Sequence, residues 1–155
     1  MRNDYKYIGR QVAKLFPKIA ELIMTQKNTG CLLESYQDFP VLVRLFGQYH
    51  GISFPHMSSL PDRQATDYRI QFTAFCLLCY DPNNINGVTA TKMRPALRRN
   101  IASAMRVHPT LVSQYAAKAR VYIRAYAEFD QEIMQLVALI KLEKVNNGAD
   151  VNLTA

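Results

Sequence analysis

Apolar residues return at intervals of three and four along most of this chain, and no stretch carries the alternation of a strand pair. That spacing lines one face of a helix and commits the fold to helix-on-helix packing. ATDYRIQFTAFCLLCY, residues 65–80, is the most apolar of these stretches and has to be a core element. Ahead of it, Ile8, Val12, Leu15, Ile19 and Ile23 keep the helical period up to Gly30, with Pro17 inside it, so one helix kinks there or a second begins. DFPVLVRLFGQYHG reads as a short helix with Asp38 as its cap and Pro40 in its first turn, closing at Gly51. ISFPHMSSLPDRQ, residues 52–64, is a proline-marked linker, and DPNNINGVT after the core stretch is turn chemistry throughout.

Three more helices follow in the pattern. One covers roughly 91–105 with Pro95 near its start or at a kink. A second begins at Pro109 and runs to about 127, with Leu111, Val112, Tyr115, Ala119, Tyr122, Ile123 and Tyr126 on its apolar side. The last, FDQEIMQLVALIKLEKV, has Ile133, Met134, Val137, Ile140 and Leu142 to bury in some combination, and NNGADVNLTA beyond it has little to pack. The expected fold is all-α, a bundle of five to six helices. It divides into a helical region at 1–60 for oligomerisation or a partner, a second at 61–145, and a flexible tail at 146–155.

Composition excludes several classes. With 155 residues, 49% of them hydrophobic, a buried core is within reach. No run of 18 uncharged apolar residues exists, since Lys141 interrupts even VALIKL, so no bilayer span is expected. The first residues, MRNDYKYIGRQVAK, lack the apolar core and cleavage site of a signal peptide, and the expected location is cytoplasmic. Cys31, Cys76 and Cys79 are an odd count without a secretion signal, which argues for free thiols. CLLC at 76–79 has redox or metal spacing but lies inside FTAFCLLCY, where buried cysteines are expected. There is no glycine-rich phosphate loop, HExxH or GxSxG, and His50, His56 and His108 stand singly, so neither catalysis nor a cofactor is expected. Tyr5, Tyr7, Phe16, Tyr36, Phe39, Phe46 and Tyr49, at helical spacing, read as core or interface rather than as a base-stacking platform.

Charge is concentrated in one place. From Pro82 to Ala127 there are eight Lys or Arg and no Asp or Glu, while the remaining residues hold 11 basic against 12 acidic. The whole net charge of +7 therefore belongs to this segment. A basic window of this kind is the footprint of a phosphate-binding surface.

Within that window lies NIASAMRVHPTLVSQYAAKAR, residues 100–120, two helix-like runs joined by RVHP. Ala102 offers a small side chain where the second run would cross the first. Ile101, Met105, Val107, Val112 and Tyr115 fall where apolar groups would lock both onto a third helix, and Pro109 suits a first helical turn. This stretch resembles the helix-turn-helix of bacterial and phage DNA-binding proteins, an alanine-bearing helix, a short turn and a recognition helix with VS near its start. The likeness covers about 20 residues, or about 60 if residues 65–80 supply the third helix of a tri-helical core. It departs from the pattern at Arg106, where glycine is usual.

The resemblance implies that the helix from Pro109 enters a major groove of double-stranded DNA. His108, Thr110, Ser113, Gln114 and Lys118 would then face base edges, with Ala117 beside them, and Gln114 could pair with an adenine edge in bidentate fashion. Lys92, Arg94, Arg98 and Arg99 would neutralise phosphates, and Arg120 and Arg124, farther along, suit a phosphate or an acidic partner. Such a protein would be a small transcriptional or mobile-element regulator and would work as a dimer, because one short helix contacts few bases. The rival reading is a helical phage packaging or virion assembly protein that meets DNA without sequence preference or docks on an acidic partner.

Overall fold

The computed structural model describes residues 31–54, 57, 60–86 and 92–153, with Leu15 alone ahead of them. Cys31–Ala155 form one compact unit, separate from Met1–Gly30, and the helix expected before Gly30 lies outside the described residues. Among the described residues every regular element is helical. A 3₁₀ turn at Tyr36–Asp38 leads into α1 (Phe39–His50). There follow α2 (Asp62–Tyr80), α3 (Pro82–Asn86), α4 (Pro95–Met105), α5 (Pro109–Ala125) and α6 (Ala127–Leu153).

The ends of α1 follow from local chemistry. Pro40 sits in its first turn, where a missing N–H costs nothing, and Gly51 closes it at φ 65°. Asp38 makes no side-chain capping bond. The capping oxygen belongs to Ser35, one turn earlier, which accepts from the Gln37 N–H at 3.2 Å. Past the end of α1 the chain folds back sharply, and the Ile52 N–H bonds to the Gly47 carbonyl at 3.0 Å. A Cβ on Gly47 would meet the Ile52 carbonyl oxygen at 2.8 Å, so this return path needs glycine in mid-helix.

Helix α2 is the centre of the bundle. From Phe72 to Leu77 every residue is buried, and the one hydroxyl among them, on Thr73, donates back to the Arg69 carbonyl at 2.8 Å. Helices α4, α5 and α6 pack on α2, α5 also packs on α4 and α6, and α1 packs on α6. Rings join α1 to α2, with Phe46 centroids 5.2 Å from Phe72 and 6.5 Å from Phe75. Across the outside, Arg44 on α1 meets Glu143 on α6 at 2.6 Å. Phe39 and Phe46 are core residues, Tyr36 is half-buried and stacked on Tyr80, and Tyr49 lies at the surface.

Several expectations shift against this arrangement. The compact unit starts at Cys31, and α1 shares one continuous core with α2 and α6, so the division expected at residue 60 falls inside a single body. Asp81 to Asn86 is not turn throughout. Pro82–Asn86 forms the short helix α3, which buries Asn84 and Ile85. The tail read as flexible from 146 continues α6 through Leu153. Among the described side chains of α6 the buried ones are Ile133, Leu136, Val137 and Ile140, whereas Met134 is half-buried and Leu142 is exposed.

Candidate nucleic-acid interface

The segment that concentrates the charge becomes α3, α4, α5 and their joints. Helix α4 ends at Arg106, which has φ 54° and ψ 47° and is the one left-handed residue besides glycine among those described. Its N–H bonds to the Ser103 carbonyl at 3.3 Å, and the Val107 N–H reaches the Ala102 carbonyl at 3.0 Å, the paired closure of a helix end that glycine usually makes. The left-handed region costs a residue with a Cβ about 1–2 kcal/mol. Arg106 stays exposed while adopting it. Replacing it with glycine is expected to raise stability by about 1 kcal/mol, measured by urea unfolding, and an unchanged or lowered midpoint would contradict the strain assigned to this turn.

Three residues, Arg106 to His108, separate α4 from α5. His108 caps α5: its Nδ1 accepts from the Thr110 N–H at 3.2 Å and lies 2.9 Å from the Thr110 hydroxyl oxygen. With Nδ1 accepting, Nε2 is the ring nitrogen left to donate. Pro109 occupies the first position of the helix. Ala102 is buried where α4 meets α5, alongside Ile101 and Met105 from α4 and Val112, Tyr115, Ala116 and Ala119 from α5. The inward residues of α5 thus recur at three and four and fix the helix's rotation on α2 and α4.

That rotation decides what faces outward. Thr110, Ser113, Gln114, Ala117 and Lys118 are all exposed, on the side away from the buried row, and His108 is exposed at the head of the helix. Two apolar side chains share the outward side, Leu111 at 37% exposure and Val121 at 59%. The apolar spacing puts Leu111 and Tyr126 with the buried row, yet both are exposed, and the row that packs inward is Val112, Tyr115, Ala116 and Ala119. Periodicity alone could not show which side of the helix each apolar residue would take.

The basic residues separate into two groups. Lys92, Arg99, Arg106 and Lys118 are exposed, as is Arg124 near the far end of α5, and Arg98 is half-buried with its Nε enclosed and without a partner. Arg94 and Arg120 serve the fold. Arg94 donates to the Tyr80 carbonyl and lies 3.6 Å from the Cys31 sulfur. Arg120 is half-buried and donates Nε to the Asn84 carbonyl at 2.8 Å and Nη2 to Asn84 Oδ1 at 2.5 Å, bracing α5 against the buried polar residue of α3. A charge count in sequence gives these two the same standing as the others, because it carries no information on where a guanidinium points.

Carboxylates gather elsewhere. Asp67, Glu128 and Glu132 line an open cavity with Tyr122, Tyr126 and Phe129 at the C-terminal end of α5, and Glu132 accepts from Gln71 Nε2 at 3.2 Å. Cys76 and Cys79 are both core residues. Burial pushes the Cys76 thiol up, with Cys79 adding to it, and pushes Cys79 up to about 12 although Lys141 and Lys144 pull the other way. Thiols in that state are poor nucleophiles and poor metal ligands. Among the described residues no group of three or more His, Cys, Asp or Glu comes together as a metal ion would require, and no helix is long and apolar enough to cross a membrane. The chain matches no family model, no curated protein and no solved structure.

Proposed function

We propose that this chain binds double-stranded DNA and reads its sequence by laying the first turns of α5 in the major groove. One observation carries the reading: the outward side of α5, with Thr110, Ser113, Gln114 and Lys118 exposed in succession, lies inside the window that has eight basic residues and no acidic one. Hydrogen-bonding side chains on a helix face free of carboxylates suit a groove whose floor offers donors and acceptors and whose walls are phosphate. The left-handed turn at Arg106 and the small Ala102 at the junction are what a short helix-turn-helix needs to hold its second helix clear of its first.

In this reading Gln114 pairs with an adenine edge, Thr110 and Ser113 bond to bases or phosphates, and His108 presents Nε2–H from its capping position. Lys92, Arg98, Arg99 and Arg106 neutralise the flanking phosphates, while Arg94 and Arg120 are left to hold the fold. A dimer is the working unit, because a single short helix contacts too few base pairs for useful selectivity. The regulator assignment follows from selective binding; an assembly protein would bind equally well to any duplex.

Salt dependence tests the phosphate half of the proposal. Binding of a random duplex, followed by fluorescence anisotropy between about 50 and 200 mM salt, should weaken steeply, with a log–log slope of roughly 0.9 for each phosphate neutralised. Replacing Arg98 and Arg99 together with Ala should flatten that slope by roughly one unit for each phosphate left without its arginine. A slope unchanged in the double variant would remove α4 from the interface.

A further inference from the structure

Resting on the reading of α5 as the groove-facing helix, we infer that the target carries thymine on the base pairs flanking the one that Gln114 reads, and that Ala117 and Leu111 recognise it. The observation behind this is the composition of the outward row. Gln114 is its hydrogen-bonding centre, Leu111 lies three residues before it and Ala117 three after, both exposed, with Val121 exposed beyond them.

Isolated exposed apolar residues are ordinary on a protein surface. Here they occupy the same helix side as the polar reading groups, flanking Gln114 on both sides. In a major groove the bulkiest apolar group on a base edge is the C5-methyl of thymine; apart from small C–H groups such as C5–H of cytosine, the other edge groups are donors or acceptors. An exposed Leu or Ala in the groove would desolvate such donors and acceptors without replacing their bonds, and it meets its largest apolar partner at thymine.

The spacing agrees with adjacent base pairs. Three residues of helix advance about 4.5 Å, against about 3.4 Å between successive nucleotides of one strand. When Gln114 sits on an adenine, Ala117 and Leu111 therefore fall nearest the neighbouring steps on either side. Val121 is about 10 Å along from Gln114, far enough for a straight helix to be leaving a curved groove. The contribution assigned to it is correspondingly small.

The test replaces thymine with uracil at each position of a duplex selected from a random library, which removes one methyl and leaves every hydrogen-bonding group in place. Wild-type protein should lose about three- to fourfold in affinity for each contacted methyl, at the positions flanking the adenine whose replacement costs most. Ala117→Gly should make binding insensitive to uracil on one flank and Leu111→Ala should do so on the other. Both residues are outside the core, and circular dichroism confirms that each variant is folded before binding is compared.

Unchanged affinity for uracil duplexes, or an enriched site with no thymine beside the critical adenine, would overturn the inference and leave groove reading by Gln114 standing. Binding to random duplex without enrichment would overturn it together with sequence reading. Absence of duplex binding would overturn the proposed function and this inference with it.

Discussion

Replacing Phe46 with Ala is expected to cost about 3–5 kcal/mol of folding stability, a large fraction of what holds a domain of this size together. The ring is fully buried and lies in a ring cluster built from α1, α2 and the segment between them, with centroids 5.7 Å from Phe54, 5.2 Å from Phe72 and 6.4 Å from Tyr68. Truncation loses the transfer energy of a whole aromatic side chain and leaves a hole that the surrounding rigid rings cannot close by small shifts. Urea unfolding should show the loss as a lower midpoint with little change in slope. In the same variant, binding of DNA at a temperature where the protein remains folded should be unaltered, because α1 contributes no residue to the proposed reading face. A loss below about 1 kcal/mol would mean that the packing of α1 on α2 contributes little to stability.

The second large effect concerns recognition. Gln114→Ala should weaken binding to the preferred duplex by about 1–3 kcal/mol, roughly 5- to 150-fold, and leave random duplex nearly unchanged. The asymmetry is the informative part. Gln114 is exposed, so its removal leaves the core intact, and it is uncharged, so phosphate attraction and the salt slope persist. Competition anisotropy with the selected and random duplexes measures both effects in one experiment. Full affinity and selectivity in the variant would remove Gln114 from the reading face, and equal losses on both duplexes would assign it to the DNA backbone instead.

How far the fold could be read from sequence depends on what each signal encodes. Period-three and period-four apolar spacing encodes a buried face, and it placed α1, α2, α4 and α5, with boundaries at Gly51 and Pro109; it began α4 at about 91 where the helix starts at Pro95, and it left to the linker the first turn of α2, which starts at Asp62. Composition encodes turn chemistry only as a tendency. Pro82, Asn83 and Asn84 looked like a turn, yet Pro82 is also a favourable helix start, and the buried Asn84 held by Arg120 stabilises one short helical segment there. The polar residues from Asn146 predicted a frayed tail, and nothing in their pattern reveals that α6 continues through them.

The same limits apply to the candidate site. Arg106 stood out in the sequence as the joint residue where glycine is usual, and the φ of 54° found there is the left-handed conformation that favours glycine. The outward polar row of α5 was legible from Val112, Tyr115 and Ala119 on the inward side, but the same spacing also put Leu111 inward, and it is exposed. Long side chains were a different matter. Arg94 and Arg120 each reach a carbonyl distant in sequence, and only the packed arrangement of α2, α3 and α5 brings those acceptors within range.

Base reading by α5 is the central claim, and the most direct measurement of it is selection of the purified chain against a random duplex library at physiological salt. The predicted result is enrichment of one motif with a critical adenine, repeated as a palindrome with half-sites about one helical turn apart. Recovery of duplexes without a shared motif, or no recovery at all, would contradict it.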